Sequence, residues 1–204
     1  MSYDHNFLHN ILLKKSEPFK FLSREIKTNG LIKLKKTRLD FFTFLFQTII
    51  SQQISNKAAG SIWKNLCNSL EVKNPSIKDF SNTSFLLKKL DEIRVSRQKK
   101  NYITSIYETI NKNKLILSDL KKLSDETVKQ KLIKIKGVGN WTCDMILIFF
   151  FLRPNILPEN DLIIKKTLNK ISRIEGKKIN FKKNFDPYLS IFSLHLWKMA
   201  KRIL

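Results

Sequence analysis

The sequence predicts an all-α protein, on three observations. Apolar residues recur at the i, i+3, i+4, i+7 spacing of a helix face. Residues that cap helix N-termini stand just before several of these runs. Long Val/Ile alternations bounded by turn dipeptides are missing, which argues against an extended sheet. With 204 residues, 42% of them hydrophobic, the chain can bury a substantial core as one domain or as two intimately joined subdomains.

From the N-terminus, Met1 to Lys15 lacks the basic start, apolar core and small-residue cleavage site of a secretion signal. The first strong helical pattern runs through Phe41, Phe42, Phe44, Leu45, Thr48 and Ile49. Ser55, ahead of Asn56-Lys57-Ala58-Ala59, opens the next, which carries Ile62, Leu66 and Leu70 on one face. Ser96 before Arg97 and Ser124 before Asp125-Glu126 mark two further starts. Asp161 precedes a helix from Leu162 to Ser172, and Asp186, with Pro187 in the first helical position, is expected to open the last one. About ten helices joined by short loops result. The longest uncharged apolar run, Met145 to Leu152, is far below the ~20 residues of a membrane span, so the chain reads as cytoplasmic, with no membrane partner.

The most informative stretch is Lys136-Gly137-Val138-Gly139-Asn140-Trp141-Thr142, which places two of the five glycines within three positions between two apolar helical patterns. That is a tight hairpin between helices. Glycine tolerates φ > 0 and lets another backbone come close, so Gly-x-Gly at a helix start points to amide N–H groups presented to an anion. Downstream, Pro158-Glu159-Asn160-Asp161-Leu162 is a turn with a carboxylate at the mouth of a helix.

A net charge of +22 favours a polyanionic partner, because each cation placed near a phosphate can release a condensed counterion. On charge alone DNA, RNA and an anionic membrane stay open. So does codon bias, since Lys, Asn and Ile are enriched together. The runs Lys99-Lys100, Lys165-Lys166, Lys177-Lys178 and Lys182-Lys183 read as solvated faces. Cys67 and Cys143 sit in apolar helical patterns as small hydrophobes, and the three histidines show no zinc spacing, so no metal site is expected.

The hairpin and the carboxylate together resemble the helix-hairpin-helix superfamily of DNA base-excision glycosylases, and within it the 3-methyladenine DNA glycosylase II type. Four segments carry the likeness: Ile49-Ile50-Ser51-Gln52-Gln53-Ile54-Ser55, Val95-Ser96-Arg97-Gln98-Lys99, Ile135 to Met145, and Leu157-Pro158-Glu159-Asn160-Asp161-Leu162. Asp186-Pro187-Tyr188 with Leu194-His195-Leu196-Trp197 is a weaker fifth. The resemblance implies two helical subdomains with a DNA-binding cleft between them, one near residues 40–150, including the hairpin, and one built from residues 1–39 and 151–204. Two cysteines cannot supply the four-cysteine iron–sulfur cluster common in the endonuclease III type.

Asp161 is then the expected catalytic residue. An ionised carboxylate stabilises the oxocarbenium-like charge that builds on the sugar as an N-glycosidic bond breaks, or orients the attacking water. It can serve at the same time as a helix cap, and Glu159 and Asn160 are nearby alternatives. The family places its aspartate four residues before a basic residue, here Lys165. Trp141 stands where bifunctional relatives place the Schiff-base lysine, so the expected chemistry is monofunctional, without strand cleavage. Trp141, Met145 and Trp197 match positions that line the base pocket, where an aromatic face attracts a cationic base; either tryptophan is equally readable as ordinary core. Gln53 falls where relatives fill the gap left by the flipped nucleotide. Gly137, Gly139 and the amides around Asn140 and Thr142 are expected to grip one phosphate. By resemblance alone, the hairpin carbonyls bind a monovalent cation, and no other cofactor is required.

Leu189 departs from the arginine that many members carry after Pro-Tyr. The expected function is excision of alkylated purines, 3-methyladenine above all, from damaged double-stranded DNA by a monomer working at the nucleoid. A same-fold glycosylase for uracil or hypoxanthine, and a non-catalytic helix-hairpin-helix DNA-binding protein, stay open.

Overall fold

The computed structural model describes residues 4–112 and 117–204; Met1 to Tyr3, the start of the segment read above as lacking a secretion signal, lie outside them. The described residues form α1 (His5–Ser16), α2 (Lys20–Asn29), α3 (Phe41–Ser51), α4 (Asn56–Leu70), α5 (Thr83–Glu92), α6 (Arg97–Asn111), α7 (Leu117–Lys122), α8 (Asp125–Leu132), α9 (Asn140–Met145), α10 (Leu162–Ile174), α11 (Phe181–Phe185) and α12 (Leu189–Ile203). A 3₁₀ turn spans Ile77–Asp79 and a π-helical turn spans Ile146–Phe150. There is no strand among the described residues. Twelve α-helices exceed the expected ten because α7, α9 and α11 have five or six residues each, too few to display a helical period.

The chain divides into two compact units, a central one of Thr37–Ile146 and a terminal one of Met1–Lys36 with Leu147–Leu204. In the central unit α3 is the hub. Phe41, Phe42, Phe44, Leu45, Phe46, Ile49 and Ile50 are all buried, so the helix is apolar nearly all round, as a helix enclosed by others must be. It packs against α4, α6 and α9. Phe42 meets Phe46, Phe80 and Tyr107 at centroid distances of 5.8, 5.6 and 5.4 Å. The Tyr107 hydroxyl, buried with that cluster, donates to the Phe80 carbonyl at 2.7 Å. Asp40 starts α3 by accepting from the Thr43 N–H at 2.8 Å, while its other oxygen accepts from Ile77 N–H at 2.6 Å.

In the terminal unit α12 packs on α10, α2 and α11, and α1 packs on α2 and α11. Its core holds Leu12, Leu22, Ile26, Ile171, Leu196 and Met199, with Phe185 and Phe192 stacked. A polar seam joins α2 to α12. Arg202 donates to Glu25 at 2.8 Å and to Asn29 at 2.9 Å, and Asn29 donates to the His195 carbonyl at 2.9 Å. His195 is wholly buried, and burial, reinforced by His9 and Lys198, lowers its pKa to about 3.

The helix starts at Ser55, Ser96 and Ser124 are as expected, each hydroxyl accepting a first-turn N–H. The start expected at Asp186-Pro187 is not. Asp186 N–H bonds to the Lys182 carbonyl at 3.1 Å and closes α11, so the Asp-Pro pair ends one helix, and α12 begins at Leu189 behind Tyr188. Leu189 itself is buried in the terminal unit. Of the cysteines, Cys143 is buried, its thiol pushed up to about 11 by burial and by Asp144, while Cys67 is half-buried. No helix among the described residues is long and apolar enough to cross a membrane.

Candidate nucleic-acid site

The hairpin lies between α8 and α9. Ser124 caps α8, and Lys129 on α8 pairs with the buried Asp144 of α9 at 2.6 Å, which ties the two arms together. Val138 plugs the turn from inside, buried, with its N–H bonded to the Ile135 carbonyl at 3.0 Å. The two glycines, equivalent in sequence, differ in structure. Gly137 has φ +89° and its Cα faces the ring of Tyr102 so closely that no Cβ fits. Gly139 is extended, at φ −101°, with open space around it. It is the N-cap of α9 and supplies no capping side chain, whereas Asp40, Ser55, Ser96, Ser124 and Asp161 all cap their helices. Gly139 therefore gives the first turn of α9 no N-cap side chain, beside an exposed Gly139-Asn140 surface.

Thr142 is buried, and its hydroxyl accepts from Gln52 Nε2 at 3.1 Å. The same Gln52 amide donates to the Gly137 carbonyl at 3.2 Å. Gln53 follows in an exposed turn at φ +60°. Lys99 is not the solvated cation expected of Lys99-Lys100: its ammonium donates to the carbonyls of Ile50 and Gln52 at 2.6 and 2.8 Å, and partial burial lowers its pKa. Trp141 and Met145 lie one turn apart on α9, the first half-exposed and the second buried.

In the terminal unit, Asp161 is half-exposed and caps α10, one carboxylate oxygen accepting from Ile164 N–H at 2.9 Å. Its own N–H bonds to the Pro158 carbonyl at 2.9 Å, which closes the turn. Two exposed aliphatic residues, Leu162 and Ile163, follow it. Glu159 is exposed and lies 3.8 Å from Lys182, and Asn160 is exposed. Trp197 stacks on Phe149 at 6.0 Å and 29°, with both rings half-exposed. Sequence reasoning missed Phe149, because Phe149-Phe150-Phe151 reads as an undivided apolar run and nothing in it announces the π-turn. It also missed Lys99 and Gln52. Gln52 stood inside a segment shared with relatives, but its partners lie 85 and 90 residues away.

The family profile of HhH-GPD base excision DNA repair proteins matches residues 46–187, spanning the Gln52-Gln53 turn, the hairpin and Asp161. The chain belongs to the HhH-GPD superfamily. A Bacillus subtilis protein with the provisional name DNA-3-methyladenine glycosylase is 32% identical over 114 residues, covering 53% of this chain and 40% of that protein. The chain thus spans well under half the length of that relative. DNA-3-methyladenine glycosylase 1 of Schizosaccharomyces pombe is 28% identical over 172 residues, 77% of this chain and 71% of that protein. Among solved structures, the HhH-GPD fold is matched by the Schizosaccharomyces pombe 3-methyladenine DNA glycosylase in complex with abasic DNA. Its TM-score is 0.78, with 23% identity, over 95% of this chain and 96% of that one.

Proposed function

We propose that this chain is a monofunctional DNA glycosylase of base excision repair that flips alkylated purines, 3-methyladenine among them, out of damaged double-stranded DNA and hydrolyses the N-glycosidic bond with the help of Asp161. The observation that carries the reading is the Asp161 carboxylate. It is half-exposed, and its backbone and one oxygen are held by bonds to Pro158 and Ile164. The names of the relatives and the net charge of +22 support the substrate class.

An N-alkylated purine nucleotide carries positive charge on the base, so the base leaves as a neutral molecule without first taking a proton. What remains to be stabilised is the oxocarbenium-like sugar, and a fixed negative charge close by does that without reorganising. Water attacks the anomeric carbon, the carbon–nitrogen bond breaks, and an abasic site is left. The cost of unstacking the base, a few kcal/mol, is smallest for damaged pairs. The half-exposed faces of Trp141 and of the Trp197–Phe149 pair suit a cationic base. Gly137, Gly139 and the amides of Asn140 and Thr142 hold a phosphate, and Gln53 fills the gap in the stack. A monovalent cation suits the hairpin carbonyls: those of Ile135, Gly137 and Gly139 each accept one hydrogen bond here and keep a second lone pair. Such an ion would stiffen the hairpin.

Base release from duplexes containing methylated purines, uracil or hypoxanthine tests the reading, with Asp161→Asn alongside wild type. The amide oxygen of asparagine can keep the bond from Ile164, so the cap survives while the charge is lost. Excision should fall by about 10²–10³-fold, the scale on which one aligned electrostatic group acts, with affinity for an abasic-site duplex retained. An Asn variant that excises at nearly the wild-type rate would remove Asp161 from catalysis. Release of uracil or hypoxanthine but not of methylated purines would reassign the lesion, and release from none of the duplexes would leave a DNA-binding protein.

A further inference from the structure

Within the central unit, three elements close a ring around the hairpin. α6 carries Lys99 and, one turn on, Tyr102. Lys99 holds the carbonyls of Ile50 and Gln52 at the C-terminal end of α3, where a helix leaves carbonyls unpaired and its dipole favours a cation. Tyr102 lies against Gly137 at the turn of the hairpin. The Gln52 side chain completes the ring by donating to the Gly137 carbonyl and to Thr142. Immediately after Gln52 comes Gln53, exposed and left-handed at φ +60°, a conformation that costs a non-glycine residue energy and persists where its surroundings impose it.

We propose that Lys99 is a positioning residue for base excision: through the Gln52 carbonyl it sets the backbone from which Gln53 projects, at a fixed offset from the hairpin amides. This rests on the reading of Gln53 and the hairpin as DNA contacts given above. A phosphate held by the hairpin then fixes where Gln53 enters the stack, because the two are tied by Gln52 and clamped by one helix. An ammonium suits the task because a single group can donate to both carbonyls at once, and its four-carbon stem reaches them from α6.

Lys99→Met keeps the stem and removes the donors; Lys99→Arg restores donors. Single-turnover excision from a methylated duplex should fall about 10- to 100-fold for Lys99→Met, the scale of a misplacement of about 1 Å, while affinity for undamaged duplex stays within about threefold, since the hairpin and the remaining cations still hold the backbone. Lys99→Arg should recover most of the rate. The decisive measurement is the combination with Gln53→Ala: if Lys99 acts through this turn, the double variant is no slower than Gln53→Ala alone, whereas a general structural role multiplies the two losses. Circular dichroism confirms folding, and Lys99→Gln replaces Lys99→Met if the latter does not fold. Fluorescence of 2-aminopurine placed opposite an abasic site follows the turn without any chemistry, and it should change in Lys99→Met and revert in Lys99→Arg. Wild-type excision by a folded Lys99→Met, or multiplied losses in the double variant, overturns the proposal. Absence of base release by the wild-type protein itself overturns the glycosylase reading instead, and leaves the 2-aminopurine signal to judge Lys99.

Discussion

Replacing Gly137 with alanine puts a methyl group into the side chain of Tyr102, 2.6 Å from its Cβ and 2.7 Å from its Cδ2, on a residue whose φ is +89°. The obstructing atoms are at the root of the tyrosine, so rotating its ring does not clear them, and α6 or the hairpin has to move. Holding an L-residue in the left-handed region costs roughly 1–2 kcal/mol, and overpacking a well-filled site costs about 1–3 kcal/mol. Together the loss is about 2–5 kcal/mol, and since each kcal/mol moves the midpoint of a chain this size by about 2–4 °C, the melting temperature should drop by about 4–20 °C. Gly139→Ala is the control. Its φ is −101° with nothing within 4 Å, so the loss should be about 1 kcal/mol or less, the difference between glycine and alanine at an N-cap. Urea and thermal denaturation followed by circular dichroism measure both. In a Tyr102→Ala background the overpacking part vanishes, and Gly137→Ala should cost only the backbone strain. Equal losses for the two glycines, or a Gly137→Ala loss indifferent to Tyr102, would refute this account of the hairpin.

His195 makes stability depend on pH. Its folded pKa of about 3 lies below the ordinary 6.5, so the unfolded chain binds a proton that the folded chain refuses, and stability is lost as pH falls through the window between these values. From pH 6.5 to about 4.5 the loss should be about 2 kcal/mol, read from urea midpoints, and His195→Asn should flatten the profile over that range. On the monofunctional reading proposed above, in which Trp141 replaces a Schiff-base lysine, borohydride should trap no covalent enzyme–DNA adduct, and strands should break only after alkali or heat. Efficient trapping would show that another amine attacks the sugar.

The amino-acid sequence by itself determined what depends on neighbours along the chain. The helical class, the serine caps at 55, 96 and 124, and the capping Asp161 were all legible, because a cap and a helix face involve residues three or four apart. Family membership was legible for a related reason, since the segments that carry it are short and keep their order. The tertiary structure alone decided what depends on residues far apart. Gly137 and Gly139 look interchangeable in Gly-Val-Gly, yet only the packing of Tyr102, 35 positions before Gly137, makes one of them irreplaceable. Lys99 reads as one of many lysines in a chain of net charge +22, and it becomes a clamp only because the end of α3 arrives beside it. Phe149 emerges from an apolar run because a π-turn and α12 set it against Trp197. In each case the pattern within a helical turn is unchanged by the role, and the deciding partner lies dozens of residues away, where no local periodicity reaches.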